Sequence, residues 1–516
     1  MADKYDVVII GAGLGGLAAA ASLIRAGNRV LLLDKNHHPG GTAYVYSRRG
    51  FTFPMGPLGF SNPNLVVKVL EELGIENDFS WKRVSYCLKA FNLTVPLSLP
   101  FPELTMKMNE QFPAEADGIT TFFAAVEKVT SLLKPDGNQN YISPIGELTQ
   151  LSVAGYLDGL IKDWRLKRIL GSMGTTEPYA SFPLQAAMWN LMCQEGIWYP
   201  AGGFKKFCDR MVNAAINMGT HSEGVYQKGT GALKLGTEVK KILVTGDSVT
   251  GVLLTDGTSI DSRAVISNAD FKTTFTKLLG KDDFNPWYQA VIEAKQSGSI
   301  LQVCLGVKRD QIDLSAFKQA SRLLYRRTAN NLPPDDKINW GSAHVDLYQL
   351  SGRELEVSLW SNDDKSLAPD GSVVLIIRTE APYSHFAGFR QGNRLRTPEY
   401  QEYKNSLGRT IIAEVKGLLP GIENAIEVID VATPLTFADQ GGRSEGTVAG
   451  WSWDYVDFHD YQPRELILSP IRGLYMAGYQ AYSALFLGGV PTALLSGYKA
   501  AEAALAGTGP ATGVLF

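Results

Sequence analysis

Gly11, Gly13 and Gly16 occupy the positions of a GxGxxG turn, directly after the β-branched run Tyr5–Ile10. In such a turn the first glycine permits a tight reversal. The second lets a pyrophosphate approach the backbone, and the third lets the following helix pack close to the strand. Leu14 and Gly15 fill the variable positions and start a helix rich in Ala and Leu that Gly27 ends. Its free N–H groups and positive dipole end suit phosphate oxygens. Asp34 closes a second apolar strand, Arg29–Leu33. An acid there accepts hydrogen bonds from ribose hydroxyls and disfavours a 2′-phosphate. Strand, glycine turn, helix, strand and acid, in that order, mark a dinucleotide site rather than an ordinary glycine-rich turn.

The elements that must position this site extend along the chain. After Lys35 come Gly40, Gly41 and Thr42, a Gly-Gly pair that is not part of the plain NAD pattern. Two small residues allow close backbone approach to a larger cofactor, and the segment resembles the extended fingerprint of FAD enzymes of the glutathione-reductase-like superfamily. Glu238–Ile266 reads as a meander with turns at Gly246 and Asp256-Gly257, returning to the nucleotide sheet through Ala264-Val265-Ile266. Arg472–Gly478 reads as another buried strand ending in glycine. Pro491 then opens a helix, Thr492–Leu505, whose N-terminus would also face the cofactor. Between these segments, Pro113–Leu133 and Ser152–Leu170 have the periodicity of amphipathic helices.

Composition narrows the function classes. The chain has 516 residues, 45 % of them hydrophobic and 20 % charged, with a formal net charge of −3. That is a globular composition, with no field to attract nucleic acid. Cys87, Cys193, Cys208 and Cys304 form no CxxC pair and read as buried thiols. The opening residues show no signal peptide, and the uncharged stretch Gly473–Tyr498 is too interrupted by glycine, Gln480 and Pro491 to span a bilayer. Peripheral membrane contact stays open, so the expected location is cytoplasmic, with or without a membrane surface. His37 and His38 lack a third ligand for a metal. Gly442–Gly446 matches the string GxSxG, but without a preceding buried strand it reads as a loop. Asp335-Asp336 and Asp363-Asp364 read as solvated turn acids, and Lys205-Lys206 as an exposed helix face. The redox chemistry falls to the cofactor.

With Val8–Gly16, Asp34 and Gly40-Gly41, four further segments complete a pattern: Gly196–Gly203 (GIWYPAGG), Thr237-Glu238-Val239, Ser267–Asp270 (SNAD) and Thr433–Thr436. The closing Gly473–Gly478, Gly488–Pro491 and Ser496-Gly497 belong to it too. Over nearly its whole length the sequence resembles the phytoene desaturase-like flavoproteins. That group includes bacterial-type carotenoid desaturases, carotenoid cis–trans isomerases and retinol saturases. The resemblance implies an α/β (α+β) fold: a Rossmann-like FAD-binding domain of the glutathione-reductase/amine-oxidase type with an interleaved substrate domain. Residues 1–74, 199–270 and 437–516 would bind FAD, and 75–198 and 271–436 would form the substrate part. FAD would lie extended along Gly11, Gly13, Leu14, Gly15, Gly16, Asp34, Lys35, Gly41 and Thr42, with the Val239 backbone at the adenine. Its ring would lie near Met55, Gly56 and Pro57 and near Gly478, Gly489 and Val490. The substrate implied is a long isoprenoid or polyene lipid entering an apolar tunnel from a membrane, with Phe60, Trp198, Tyr199 and Tyr482 as candidate contacts. Plain core packing is the alternative for those aromatics. No acid or base stands out; Glu195 and Tyr199 flank a family segment and read as structural. Three departures are visible: Thr42 where relatives carry Arg, Ser or Lys, Pro54 where they carry Asp, and Tyr479 after Gly478 where many carry Asp. Desaturation or saturation of C–C bonds is the leading expectation. Flavin-dependent isomerisation, a prenyl-lipid carrier of the same fold, and an amine or porphyrinogen oxidase remain as alternatives.

Overall fold

Aliphatic runs without charge favour strands buried on both faces, and the Val7–Ile10 part of β1 (Tyr5–Ile10) and all of β2 (Val30–Leu33) are of this kind. They pair in parallel, Val8 opposite Leu31 and Ile9 opposite Leu32. The computed structural model describes residues 5–56, 59–76, 79–132, 152–173, 181–216, 221–222, 225–228, 230–280, 286–327, 347–348, 350, 352–448, 450–452, 464–483 and 489–507. Five more strands complete the centre of this sheet: β3 (Gly231–Lys234), β4 (Val239–Thr245), β5 (Ser248–Leu254), β6 (Ser259–Ser267) and β7 (Leu474–Met476). The meander β4–β5–β6 is antiparallel, and β6 then joins β1 in parallel, Ala264 opposite Val7. β7 pairs with β6, and β3 with β2. Start, middle and end of the chain thus share one sheet.

Two helices cross over the start of this sheet. They are α1 (Leu14–Arg25) and the closing helix, α4 (Gly489–Ala506). A Cβ at Gly497 would collide with the Gly15 carbonyl, so the helices meet backbone to backbone. Between them in sequence come α2 (Gly203–Ala215), which also packs on α1, and α3 (Pro434–Gly441). Thr433 and Thr436 form a capping box at the start of α3.

A second sheet of seven strands has the order Ile426–Ala432, Ile300–Lys308, Ser372–Glu380, Leu355–Leu359, Arg322–Arg326, Tyr86–Ala90, Leu93–Pro96. Alternation gives it two unlike faces. Leu301, Val303, Leu305, Leu323, Val357, Leu375 and Ile377 point into a core shared with Ile411 and Val415 of the helix Tyr400–Val415. The opposite face carries Gln302, Arg322, Glu356 and Arg378, all buried. Cys304, Leu324 and Ile376 on that face belong to the main core.

The stretch Ser152–Leu170, expected as one helix, is two: Val153–Leu160 and Trp164–Leu170. Glu115 accepts from the Lys162 and Asp163 amides, and the Asp163 carboxylate then caps Arg165 N at 2.9 Å, restarting the helix. The helix expected at Pro113–Leu133 runs over Ala116–Leu132. Among the described residues no helix is long and apolar enough to cross a membrane.

Candidate functional site

The glycine turn is built by collisions that only glycine avoids. Gly11 has φ +95°. A Cβ at Gly16 would strike the Gly11 carbonyl oxygen, which is the close helix–strand approach expected of the third glycine. Gly13 caps α1 in extended conformation and bridges to Gly40, while a Cβ at Gly41 would come within 3.0 Å of Gly13 Cα. The two glycine segments therefore lie backbone against backbone at the N-terminus of α1. Leu14 begins that helix and is buried. Asp34 stands at the end of β2, its carboxylate accepting from Ala12 N at 2.7 Å and Asn36 N at 2.8 Å. Burial raises its pKa above the ordinary 3.8, against these two amide donors. A buried acid short of donors beside a side-chain-free anion cradle fits the ribose and pyrophosphate of FAD.

Thr42 continues this cradle. Its carbonyl lies where a Gly56 Cβ would be, so Met55-Gly56 and Thr42 are brought together. The Gly56 carbonyl accepts from Arg378 Nη2 at 2.8 Å, and Arg378 Nε donates to Gln302 Oε1 at 2.7 Å. One arginine of the second sheet therefore ties down the segment expected beside the flavin ring. Gly478 N donates to Ser496 Oγ at 2.9 Å and lies over Gly15. Gly489 and Val490 open α4, about two turns before Ser496 and Gly497. Val239 opens β4, joined to Asp34 through the Thr237 N to Asp34 carbonyl bond of 2.8 Å. Lys35 leans from β2 toward Gly442, and burial lowers its pKa. Pro57 and Gly488 lie outside the described residues.

Phe60, Trp198 and Tyr199 are neighbours, and Tyr482 lies apart from them. Phe60 and Tyr199 are packed in the core, Phe60 edge-on to Trp81 and Phe204, Tyr199 edge-on to Phe204 and Trp360. Trp198 pairs with Phe60 through the backbone and donates its indole N–H to the Glu195 carbonyl. Tyr482 lies on a separate two-stranded ribbon under Lys499. Gly203 of the GIWYPAGG segment starts α2 directly beneath the Asp364 carboxylate. Farther along α2, Cys208 Sγ packs on Gly40. Burial pushes that thiol up to about 12, so the cysteine is inert filling.

Asp363 is not the solvated turn acid expected from its neighbours: its side chain is fully buried and pairs with Arg322 at 3.2 Å. The cause is Arg322 on a neighbouring strand, stacked 3.9 Å over Trp360, a buried cation that needs an anion beside it. Asp335-Asp336 lie outside the described residues. The GxSxG string is a loop, with Ser444 Oγ donating to Asp270 Oδ1 at 2.6 Å. Lys205 is exposed on α2 and pairs with Asp209. His38 stacks on Tyr44, and among the described residues no metal-binding cluster forms.

Sequence reasoning passed over three residues. Asn268 of the SNAD segment wedges into the glycine turn, its amide donating to the Gly11 carbonyl at 3.1 Å. Arg443 Nη2 donates to Thr42 Oγ1 at 2.8 Å and its guanidinium lies 4.2 Å over the Tyr479 ring. Arg378 carries no sequence signal, since nothing local marks it. The signals for the other two were the SNAD segment itself and the departures at positions 42 and 479.

Comparisons with known proteins agree with this geometry. The chain is 27 % identical over 523 residues to a chloroplastic prolycopene isomerase of Daucus carota, covering 92 % of this chain and 76 % of that one. It is 25 % identical to a phytoene dehydrogenase of Streptomyces griseus, covering 96 % and 94 %. Among solved structures, a putrescine oxidase redesigned in its cofactor binding superposes with TM-score 0.61 at 14 % identity, covering 98 % and 99 %. Cyclohexylamine oxidase from Brevibacterium oxydans IH-35A gives 0.59 at 16 %, covering 97 % and 99 %. These two share the fold. The profile of the flavin containing amine oxidoreductases matches residues 14–372, more than half of the chain. With the cradle built as described, the chain belongs to that family and is an FAD-dependent oxidoreductase.

Proposed function

We propose that this enzyme acts on a long hydrophobic polyene of the carotenoid type, adding or removing hydrogen across its C–C bonds. The observation that carries this reading is the near end-to-end similarity to relatives named for phytoene and prolycopene. FAD, when bound, supplies the hydride acceptor or donor. This chain's residues supply the rest. Gly11, Gly13, Gly15, Gly16, Gly41 and Thr42 hold the pyrophosphate, and Asp34 accepts the ribose hydroxyls. Residues 1–74, 199–270 and 437–516 form the cofactor part. Residues 75–198 and 271–436 form the substrate part, a division that the separate second sheet supports. Arg378 fixes Gly56 from the substrate side, so the reacting carbon and the flavin keep one geometry, and much of the rate comes from that positioning in a dry site.

A second reading, isomerisation with reduced flavin, is favoured by four relatives named prolycopene isomerase, each 27 % identical to this chain. One experiment separates the two. Lipid extracts of cells making the intact chain are compared by mass with those of cells making Gly13→Val. A product two hydrogens lighter identifies a desaturase, and one two hydrogens heavier a saturase. Equal mass with altered retention identifies the isomerase. Oxidation of polyamines by the purified enzyme, with no lipid change, overturns the polyene reading.

A further inference from the structure

We infer that Arg443 is a binding residue for the FAD pyrophosphate, contributed to the cradle from a loop 401 residues away from Thr42. The loop after α3 is immobilised at several points. Asp270 takes both the Ser444 amide and hydroxyl, Ser299 Oγ donates to the Gly446 carbonyl at 2.8 Å, and Ser297 and Thr447 join through their hydroxyls at 2.6 Å. On this platform the guanidinium is fixed by neutral partners alone. Nη1 donates to the Thr447 and Val448 carbonyls at 3.1 and 3.0 Å, and Nη2 to Thr42 Oγ1. One face is covered by the Tyr479 ring.

Among the described residues no carboxylate lies within ion-pair distance of Arg443. Arg390 and Arg396, also partly buried, share Asp439, and the fully buried Arg322 has Asp363. A half-buried, rigidly held guanidinium without an acid is a site for an anion from elsewhere. The position says which anion. Thr42 follows Gly41, and Gly41 lies against Gly13 at the N-terminus of α1. Arg443 therefore reaches the same end of α1 at which the glycine turn receives a diphosphate. Thr42 and Tyr479, two of the chain's departures from its relatives' pattern, are the residues that hold this arginine.

The test uses the full chain stripped of FAD, with Arg443→Met, Arg443→Lys and Thr42→Val. FAD binding is read by flavin fluorescence quenching. ADP, which has the diphosphate without the flavin, and adenosine, which has neither, are read by calorimetry. Arg443→Met is expected to weaken FAD and ADP by similar factors, about 10- to 100-fold, to leave adenosine unchanged and to flatten the salt dependence of binding. Arg443→Lys should recover part of the loss, because a point charge still serves a phosphate. Thr42→Val keeps the shape and releases the guanidinium, so it should show a smaller loss of the same pattern even if Arg443→Met does not fold. Unchanged ADP affinity in the folded Met variant, or an equal loss for adenosine, overturns the assignment.

Discussion

Asp34 is a buried carboxylate that accepts from two backbone amides, and its raised pKa has a consequence for both stability and binding. Between the ordinary value of 3.8 and the higher value in the fold, the folded chain without cofactor keeps a proton that the unfolded chain has lost. Its stability contribution from this site therefore falls as pH rises through that window. Ribose hydroxyls donate to the ionised form, so FAD affinity should rise with pH over the same window. Asp34→Asn removes the titration and turns an amide N–H toward Ala12 N or loses that bond. We expect its FAD affinity to be about 10- to 100-fold weaker and nearly flat in pH, measured by flavin quenching from about pH 4 upward. The glycines allow a sharper pair of expectations. A Cβ at Gly16 meets backbone, so Gly16→Ala should lose about 1–3 kcal/mol or fail to fold, read by denaturant melting. A Cβ at Gly13 meets the Asn268 amide at 3.0 Å and Gly41 Cα only at an ordinary contact distance of 3.8 Å. Gly13→Val should thus fold but purify colourless.

Packed elements explain why one half of the molecule was readable and the other was not. The first strand, glycine turn, α1, β2 and the meander β4–β6 follow from local signals: apolar runs, glycines and turn dipeptides. The second sheet hides its identity because both faces are buried while one is charged. A strand such as Arg322–Arg326, reading RLLYR, looks like a solvated edge. Nothing local shows that Arg322 will meet Asp363 from another part of the chain, or that Arg326 will meet Glu354. The same blindness made Asp363-Asp364 look like turn acids. Asp363→Ala tests the corrected placement. It leaves Arg322 buried with no carboxylate at 3.2 Å, and we expect a loss of about 3–5 kcal/mol in denaturant melting, against a smaller loss for Asp363→Asn. A loss near zero would mean that Asp363 lies in solvent.

At the scale of the whole molecule, Arg378 is a side chain that ties the second sheet to the segment proposed to lie beside the flavin. It leaves the strand Ser372–Glu380, takes Gln302 from the adjacent strand and ends on the Gly56 carbonyl beside Thr42. Phe51, at the start of the same segment as Gly56, lies flat on Gly306 of the second sheet, where any side chain would displace it. The proposed cradle is assembled from other residues: the glycine turn, Asp34, Asn268 and the loop at Arg443. Removing Arg378 should therefore separate binding from reaction. In Arg378→Met, FAD affinity should stay within about threefold of the parent. The rate of flavin reduction or reoxidation by the lipid should fall about 10- to 100-fold, because the Gly56 segment loses its anchor and the reacting atoms their alignment. Stopped-flow absorbance of the flavin gives the rate and quenching gives the affinity. If both fall together, Arg378 supports the cradle itself. If neither does, the flavin-side segment is held without the second sheet.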